Sequence, residues 1–550
     1  MNRFDNFLKN NNILILILLL AFSLRFYGIY FDYPGGINHV WDETYNLMQL
    51  FDIIETKNLF SSISSPYPAL LTIMYIPVLA VRVLYLMLVN DLSSLADLKD
   101  FVIQNGMGSL YIIVRWYSVV FGTAAVFMIY KVFAYIYGEK RIASLTALTS
   151  TVSVIPVFLS HWGKSHSAMI LFLLLALYYS LKYEKEKNSN HFFLSAFFAG
   201  CSISVHYIGL SAIIFPVLNL IFNYKEIGWK NIAKTSFIGL ITILVFYGAN
   251  FNGVKNMFVY VNTNYYAATN YSGLFQISLF DRLTYLFSDS WRIEPFLTSL
   301  AIVSILLGWR LFWSDKLLRY VIIGISFNYL LMITIIVGPD NVRWLAVFMS
   351  LSFPLSIAWL HHVLAGRKFK HYAVIIPLFF LIPSLSYVIK WDLIVNRNTS
   401  VEAAEWAKSS IGNDEWLYSF SDNIDMPLSY ESATWNKQNN RYSTKKIEHI
   451  INNKTRGYNI AFDHGNGRFN DFGGLMTDYV LISSSHDFSK NYQLKRMELY
   501  HKLELIKSFQ PRSDDATINI GDQINNPNKF FDIFHFESGG HYIDIYKIIK

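Results

Sequence analysis

The stretch VRWYSVVFGTAAVFMIYKVFAYIYGEKRIASLTALTSTVSVIPVFLSHWGKSHSAMILFLLLALYYSLKY, Val114–Tyr183, decides the kind of fold. Its long apolar runs are parted by a basic turn at Lys140 and Arg141 and by a polar turn, LSHWGKSHS, at Leu159–Ser167. Roughly 20 apolar residues in helical form span the hydrocarbon core of a bilayer. This stretch therefore crosses a membrane more than once. Lys and Arg collect on the cytoplasmic side, so the basic turn lies inside and the polar turn outside.

The rest of the chain repeats the pattern. Of 550 residues, 53% are hydrophobic and only 15% charged, against about a quarter charged in soluble domains. Further basic clusters fall at Lys182, Lys185 and Lys187, at Lys225, Lys230 and Lys234, at Arg310, Lys316 and Arg319, and at Arg367, Lys368 and Lys370. With all five clusters inside, spans fit near 13–30, 109–137, 142–160, 167–182, 192–206, 208–223, 235–250, 295–312, 319–338, 343–364 and 372–390. These eleven crossings put the N-terminus in the cytoplasm and the C-terminus outside. The first run, ILILILLLAFSLRFYGIY from Ile13, is followed by no clear cleavage motif and reads as an uncleaved anchor.

One run disturbs the parity. If Ala69–Asn90 crossed, the acid-rich loop Asp91–Asp100 would lie inside and every later basic loop would move outside. Residues 66–90 are therefore expected to form an interfacial helix, broken near Pro77, with Arg82 reaching the headgroups. The fold expected is an α-helical polytopic membrane protein of about eleven transmembrane helices plus juxtamembrane helices. Residues 1–390 form its membrane domain, with long outer segments at 31–108 and 251–294. After Lys390 the composition turns polar, and 391–550 reads as a small soluble extracytoplasmic α/β domain. There SVEAAEWAKSSIG reads as a helix between Ser400 and Gly412. DYVLISS (Asp478–Ser484) and YIDIYKII (Tyr542–Ile549) read as strands.

Composition also excludes some functions. The single cysteine, Cys201, rules out a disulfide framework and any Cys-rich metal site. The net charge of +7 is accounted for by cytoplasmic lysines, so no nucleic-acid partner is implied.

The candidate site starts from VWDETYN. Asp42 and Glu43 follow the first span, with His39, Trp41 and Tyr45 beside them. Read alone, the pair is a solvated loop with a helix cap. Beside aromatic groups at a membrane surface, carboxylates acquire raised pKa values and can act as bases. Other outer-face groups are His161, Lys164 and His166 in the polar turn, His206 and Tyr207 after the fifth span, and Arg343 in GPDNVRWLAVF. Arg282 and Arg292 are weaker candidates of the same kind. Cations at headgroup depth suit an anionic lipid head, and a carboxylate suits an acceptor that must lose a proton. That pattern fits group transfer from a lipid phosphate better than transport, which places ionisable groups inside the spans.

These motifs, in this order, resemble the GT-C superfamily of membrane glycosyltransferases, in particular the branch of protein O-mannosyltransferases and the aminoarabinose transferase. Asp42, Glu43 and Tyr45 match that family's first motif, and Pro66 and Pro68 match the start of its juxtamembrane helix. Arg115, Gly122 and Pro156 stand in matching places, and Arg343 takes the position of the late outer arginine. NTSVEAAEWAKSS and DYVLISSSHDFSKNY are similar to the outer domain of bacterial members. Two positions depart from it: His166 stands where many members carry Asp, and His206 where many carry Lys.

The resemblance implies an inverting transfer of one sugar from a polyprenyl-phosphate donor to a lipid, glycan or protein acceptor, in the plasma membrane of a bacterium or archaeon. It implies Asp42 and Glu43 as the catalytic pair, and Arg343, Lys164, Arg282 and Arg292 as cations for the donor phosphate. His39, Tyr45, His161, His166, His206 and Tyr207 would line the substrate. No cofactor is required, though His161 and His166 leave room for a divalent metal. Rival readings are a transferase using a lipid diphosphate, and a transporter or flippase of lipid-linked sugars.

Overall fold

The structure is a computed structural model. It describes residues 12–30, 43, 47, 53, 56–57, 68–94, 97–98, 101, 108–248, 278–335, 342–366, 372–397, 399–419, 426, 428–438, 450–451, 454, 457–462, 477–484, 494–495, 497–498, 502–510, 530–536 and 542–549. Two compact units emerge, one of Met1–Ile29, Val40–Val78 and Ile113–Ile389, the other of Tyr30–His39, Leu79–Ile112 and Lys390–Lys550. The second unit thus takes in Leu79–Ile112 as well as the chain after Ile389.

Apolar runs become helices wherever they are long enough, because a backbone in lipid must satisfy its hydrogen bonds internally. The first of them are α1 (Asn12–Tyr27), α2 (Leu70–Val89), α3 (Gly108–Tyr137), α4 (Lys140–Val152), α5 (Val154–Ser160), α6 (His166–Glu186) and α7 (Ser189–Val205). A 3₁₀ turn, Tyr207–Ile213, leads into α8 (Ile214–Asn223). Then come α9 (Trp229–Gly248), α10 (Leu279–Ile293), α11 (Pro295–Ser314), α12 (Lys316–Ile335), α13 (Ala346–Ala365) and α14 (Ile375–Val395).

Among the described residues nine helices are long and apolar enough to cross a membrane, or ten if α4 and α5 form one broken span. Two of the eleven expected spans are shorter than that: α7 has 17 residues, and Tyr207–Asn223 opens as a 3₁₀ turn. Conversely, α2 has the length and composition of a span. The break expected near Pro77 is corrected, since α2 runs through that proline. A proline in an apolar helix removes one hydrogen bond and can kink the helix without ending it.

The span expected at 142–160 is bent, and α4 with α5 passes as a single broken span. The chain bends there by 59° between α4 and α5, with Ser153 extended at φ −62°, ψ 126°. Pro156 lies in the first turn of α5, where its missing N–H costs nothing, whereas within a continuous helix it would collide with the preceding turn. Two buried side chains from distant parts of the chain meet the break. Arg25, from α1, donates to the carbonyls of Ser150 at 2.9 Å and Thr151 at 3.3 Å. Glu294, just before α11, accepts from the Ser153 hydroxyl at 3.0 Å. Arg25 thus closes the C-terminus of α4, its charge matching that helix dipole, and Glu294 meets the backbone break on the other side.

In the second unit, α15 (Thr399–Ser410) and α16 (Tyr430–Gln438) accompany β1 (Trp416–Ser419), β2 (Asn459–Phe462), β3 (Tyr479–Ser484), β4 (Lys502–Phe509) and β5 (Tyr542–Ile549). The strands form one sheet in the order β2-β1-β3-β5-β4. β1 pairs in parallel with β2 and β3, while β5 pairs antiparallel with β3 and β4. Ala403, Ala404 and Ala407 of α15 join Leu417, Leu481 and Ile545 in the core. The helix expected before Gly412 and both expected strands are present, the helix starting one residue early at Thr399.

Candidate active site

The site forms where α1 ends, α3 begins, and α5 turns into α6. Glu43 is fully buried, and Arg115 of α3 is 4% exposed. The Arg115 Nε donates to Glu43 Oε1 at 3.0 Å and its Nη2 to Oε2 at 2.9 Å. Its Nη1 donates to the Ile29 carbonyl at 2.9 Å, tying the end of the first span to the same guanidinium. Glu43 Oε1 also accepts from the Gly163 N–H at 2.5 Å. A Cβ at residue 163 would lie 2.4 Å from Val114 Cγ2, so the turn approaches α3 this closely because residue 163 is glycine. The Tyr75 hydroxyl of α2 lies 3.5 Å from the Gly163 carbonyl.

Lys164 follows directly. It is buried, its Nζ stands 4.3 Å from the centroid of the Trp162 ring, and its carbonyl accepts from the Ser118 hydroxyl at 3.3 Å. His166 opens α6, and its ring lies 4.8 Å from that of His206. His206 is extended at the end of α7, and its Nδ1 accepts from the Ile208 N–H at 3.2 Å, capping the 3₁₀ turn. Tyr207 stacks on it at 4.3 Å. Lys164, His206 and Arg343 are all near enough to His166 to act on its charge. Arg343 sits in a 3₁₀ turn, Val342–Leu345, against which α10 packs. The resulting cluster holds two cations, Lys164 buried and Arg343 half-buried, an environment that favours an anionic group.

The structure therefore brings together Glu43, Lys164, His166, His206, Tyr207 and Arg343. His161 faces another way: its Nε2 donates to the Leu24 carbonyl at 3.0 Å, and its ring packs where a Gly28 side chain would stand. Burial pushes His161 down to about 4, outweighing that carbonyl, so its ring is neutral at pH 7. Arg292 pairs with Asp289 at 3.8 Å on α10. Arg282 belongs to the same helix, its side chain lying outside the described residues. His39, Asp42 and Tyr45 also lie outside the described residues. Among the described residues no three His, Cys, Asp or Glu side chains gather as a metal-binding set.

Four participants were not among the sequence candidates: Arg25, Tyr75, Arg115 and Glu294. Arg25 and Arg115 carried a signal, since an arginine within an apolar run has to find partners inside the protein.

Residues 107–248 match the sequence profile of the dolichyl-phosphate-mannose-protein mannosyltransferase family, PMT_2. Among solved structures, apo ArnT from Cupriavidus metallidurans is 11% identical at a TM-score of 0.46, with 91% of this chain and 96% of that chain covered. ArnT from the same organism bound to undecaprenyl phosphate is 9% identical at 0.44, with 98% of each chain covered. The archaeal oligosaccharyltransferase AglB from Archaeoglobus fulgidus, in complex with an inhibitory peptide and a dolichol-phosphate, is 11% identical at 0.44, covering 92% of this chain and 74% of that one. A search of curated protein sequences finds no match.

The helices and the small sheet unit define a polytopic α-helical protein with a mixed five-stranded sheet, and about a quarter of the chain is similar to the dolichyl-phosphate-mannose-protein mannosyltransferase profile. The matched segment, 107–248, holds Arg115, Lys164, His166 and His206, so it carries most of the described cluster.

Proposed function

We propose that the protein is an inverting glycosyltransferase that moves a single sugar from a polyprenyl-phosphate donor to a lipid, glycan or protein acceptor on the extracytoplasmic face. One observation carries this reading. The Glu43 carboxylate is hydrogen-bonded to the Gly163 N–H, which ties the neighbour of Asp42 to the turn that presents Lys164. An acidic motif and a phosphate-attracting cluster thus share one anchor. The description of the matched family, with its dolichyl-phosphate mannose, supports a lipid monophosphate as leaving group.

In this mechanism Lys164 and Arg343 hold the donor phosphate and take up the charge that develops as the glycosidic bond breaks. Phosphate leaves as a stable anion, so cations matter more than a general acid. Asp42 removes the proton from the acceptor hydroxyl or amine, and the acceptor attacks from the face opposite the phosphate. A single displacement inverts the anomeric centre. Glu43, with both oxygens engaged, positions the motif rather than reacting. No metal enters the scheme, so turnover should persist in excess EDTA; loss of turnover restored by a divalent cation would favour a lipid-diphosphate mechanism. The N-terminus is cytoplasmic and the sheet unit extracytoplasmic.

The test is transfer of radiolabelled sugar from a panel of polyprenyl-phosphate donors into membrane extracts by the purified protein. Asp42→Asn should abolish transfer while donor binding is retained. Equal transfer by variant and wild type would remove Asp42 from the base role.

A further inference from the structure

At the membrane face opposite the site, α1, the end of α3, the start of α4 and the start of α14 enclose a cavity of about 600 Å³. This is within the usual range of ligand-binding sites, about 300–1,000 Å³. Its walls are apolar, formed by Ile17, Leu145, Leu148 and Leu378, while Lys140 and Arg141 stand at one end. We propose that the cavity binds one anionic phospholipid of the surrounding bilayer, its phosphate on Lys140 and Arg141 and an acyl chain between α1 and α14.

Geometry and charge both support that occupant. Lys140 opens α4 and Leu148 lies eight residues further along the helix, about 12 Å deeper at the usual helical rise. The cations therefore stand at the mouth and the apolar wall runs inward from them, as the headgroup and chain of a lipid require. Arg141 can hold two phosphate oxygens at once and Lys140 adds a point charge. Glu139, the exposed residue before them, offsets one charge, so the charged groups among the described residues here sum to a positive value, which prefers an anionic to a zwitterionic head. Basic pockets between transmembrane helices bind anionic lipid heads in this way. The donor site is elsewhere, at the other ends of α1 and α5, where Ile29 and Gly163 meet Arg115 and Glu43. The cavity is thus a separate lipid site.

Native mass spectrometry of the detergent-purified protein tests it, with phosphatidylglycerol, phosphatidylcholine and glycerol phosphate as probes. Wild type should retain one phosphatidylglycerol at about one tenth of the concentration needed for phosphatidylcholine, and glycerol phosphate should not displace it. The Lys140→Gln/Arg141→Gln variant should lose that preference. Ser144→Trp, which fills the cavity and keeps both cations, should lose the bound lipid. Equal retention of both lipids by wild type, displacement by glycerol phosphate, or unchanged binding in both variants would overturn the proposal. The first two outcomes need no variant to fold.

Discussion

Glu43 and Arg115 meet in the interior, and each is the other's main partner. Removing one strands a buried charge, which typically costs about 3–5 kcal/mol. Glu43→Gln and Arg115→Met should each lower the melting temperature in detergent, and the double variant should lose less than the two singles combined. Strict additivity would mean the pair is not coupled.

His161 and Glu294 pull stability in opposite directions with pH. Burial holds His161 near 4, below its ordinary 6.5, so the folded protein binds fewer protons there than the unfolded chain. Its contribution is full above pH 6.5 and is lost as pH falls toward 4. Burial pushes Glu294 up to about 7 from its ordinary 4.5, so its contribution is full below pH 4.5 and is lost as pH rises to 7. Glu294→Gln removes only the second dependence. Relative to wild type, the variant should gain on the order of 1.4 kcal/mol per pH unit between pH 4.5 and 7. A pH-independent difference in thermal melts would show that Glu294 does not titrate there. At this scale the sequence revealed the acidic motif and the cations. It could not reveal that Glu43 spends itself on Arg115, a partner 72 residues away.

The break between α4 and α5 decides where the Trp162–His166 turn points. Its caps come from 125 residues before it, Arg25, and 141 residues after it, Glu294. No local pattern encodes such an arrangement, so the bend within 142–160 could not be read from the sequence although Pro156 stands there. The strands β3 and β5 were legible for the opposite reason, being short, rich in β-branched residues and preceded by polar sequence. Arg25→Met should leave the carbonyls of Ser150 and Thr151 without their buried donor, at a cost of about 1–3 kcal/mol. Because α5 then loses its fixed direction, sugar transfer should fall by more than the melting temperature alone explains. Gly163→Ala attacks the same geometry from the other side, since its Cβ would strike Val114. It should reduce turnover with Asp42 and Lys164 both intact. Full activity in both variants would detach the break from function.

For the whole molecule the path of α2 decides the topology: it has the length of a span but precedes the acid-rich sequence Asp91–Asp100. If α2 crosses, every basic loop after it changes side, against the tendency of Lys and Arg to remain cytoplasmic. The folded chain also sets a constraint: Gly163, between α5 and α6, meets Glu43, beyond α1, so these two residues share one membrane face. With α2 lying on that face, α3 crosses inward and α4 with α5 crosses back, which satisfies the constraint. With α2 crossing, α3 returns outward, and the turn after α5 falls on the opposite face from Glu43 unless α4 and α5 fail to span. The interfacial path is the one in which both the charges and the Glu43–Gly163 contact agree. Cys201 is the sole cysteine and is buried, so Cys201→Ser provides the background for placing single cysteines at exposed positions. Ser93→Cys and Ser409→Cys should react with an impermeant maleimide on intact cells, and Glu139→Cys only after permeabilisation. Labelling of Ser93→Cys that requires permeabilisation would make α2 a true crossing and require α4 and α5 to form a re-entrant pair.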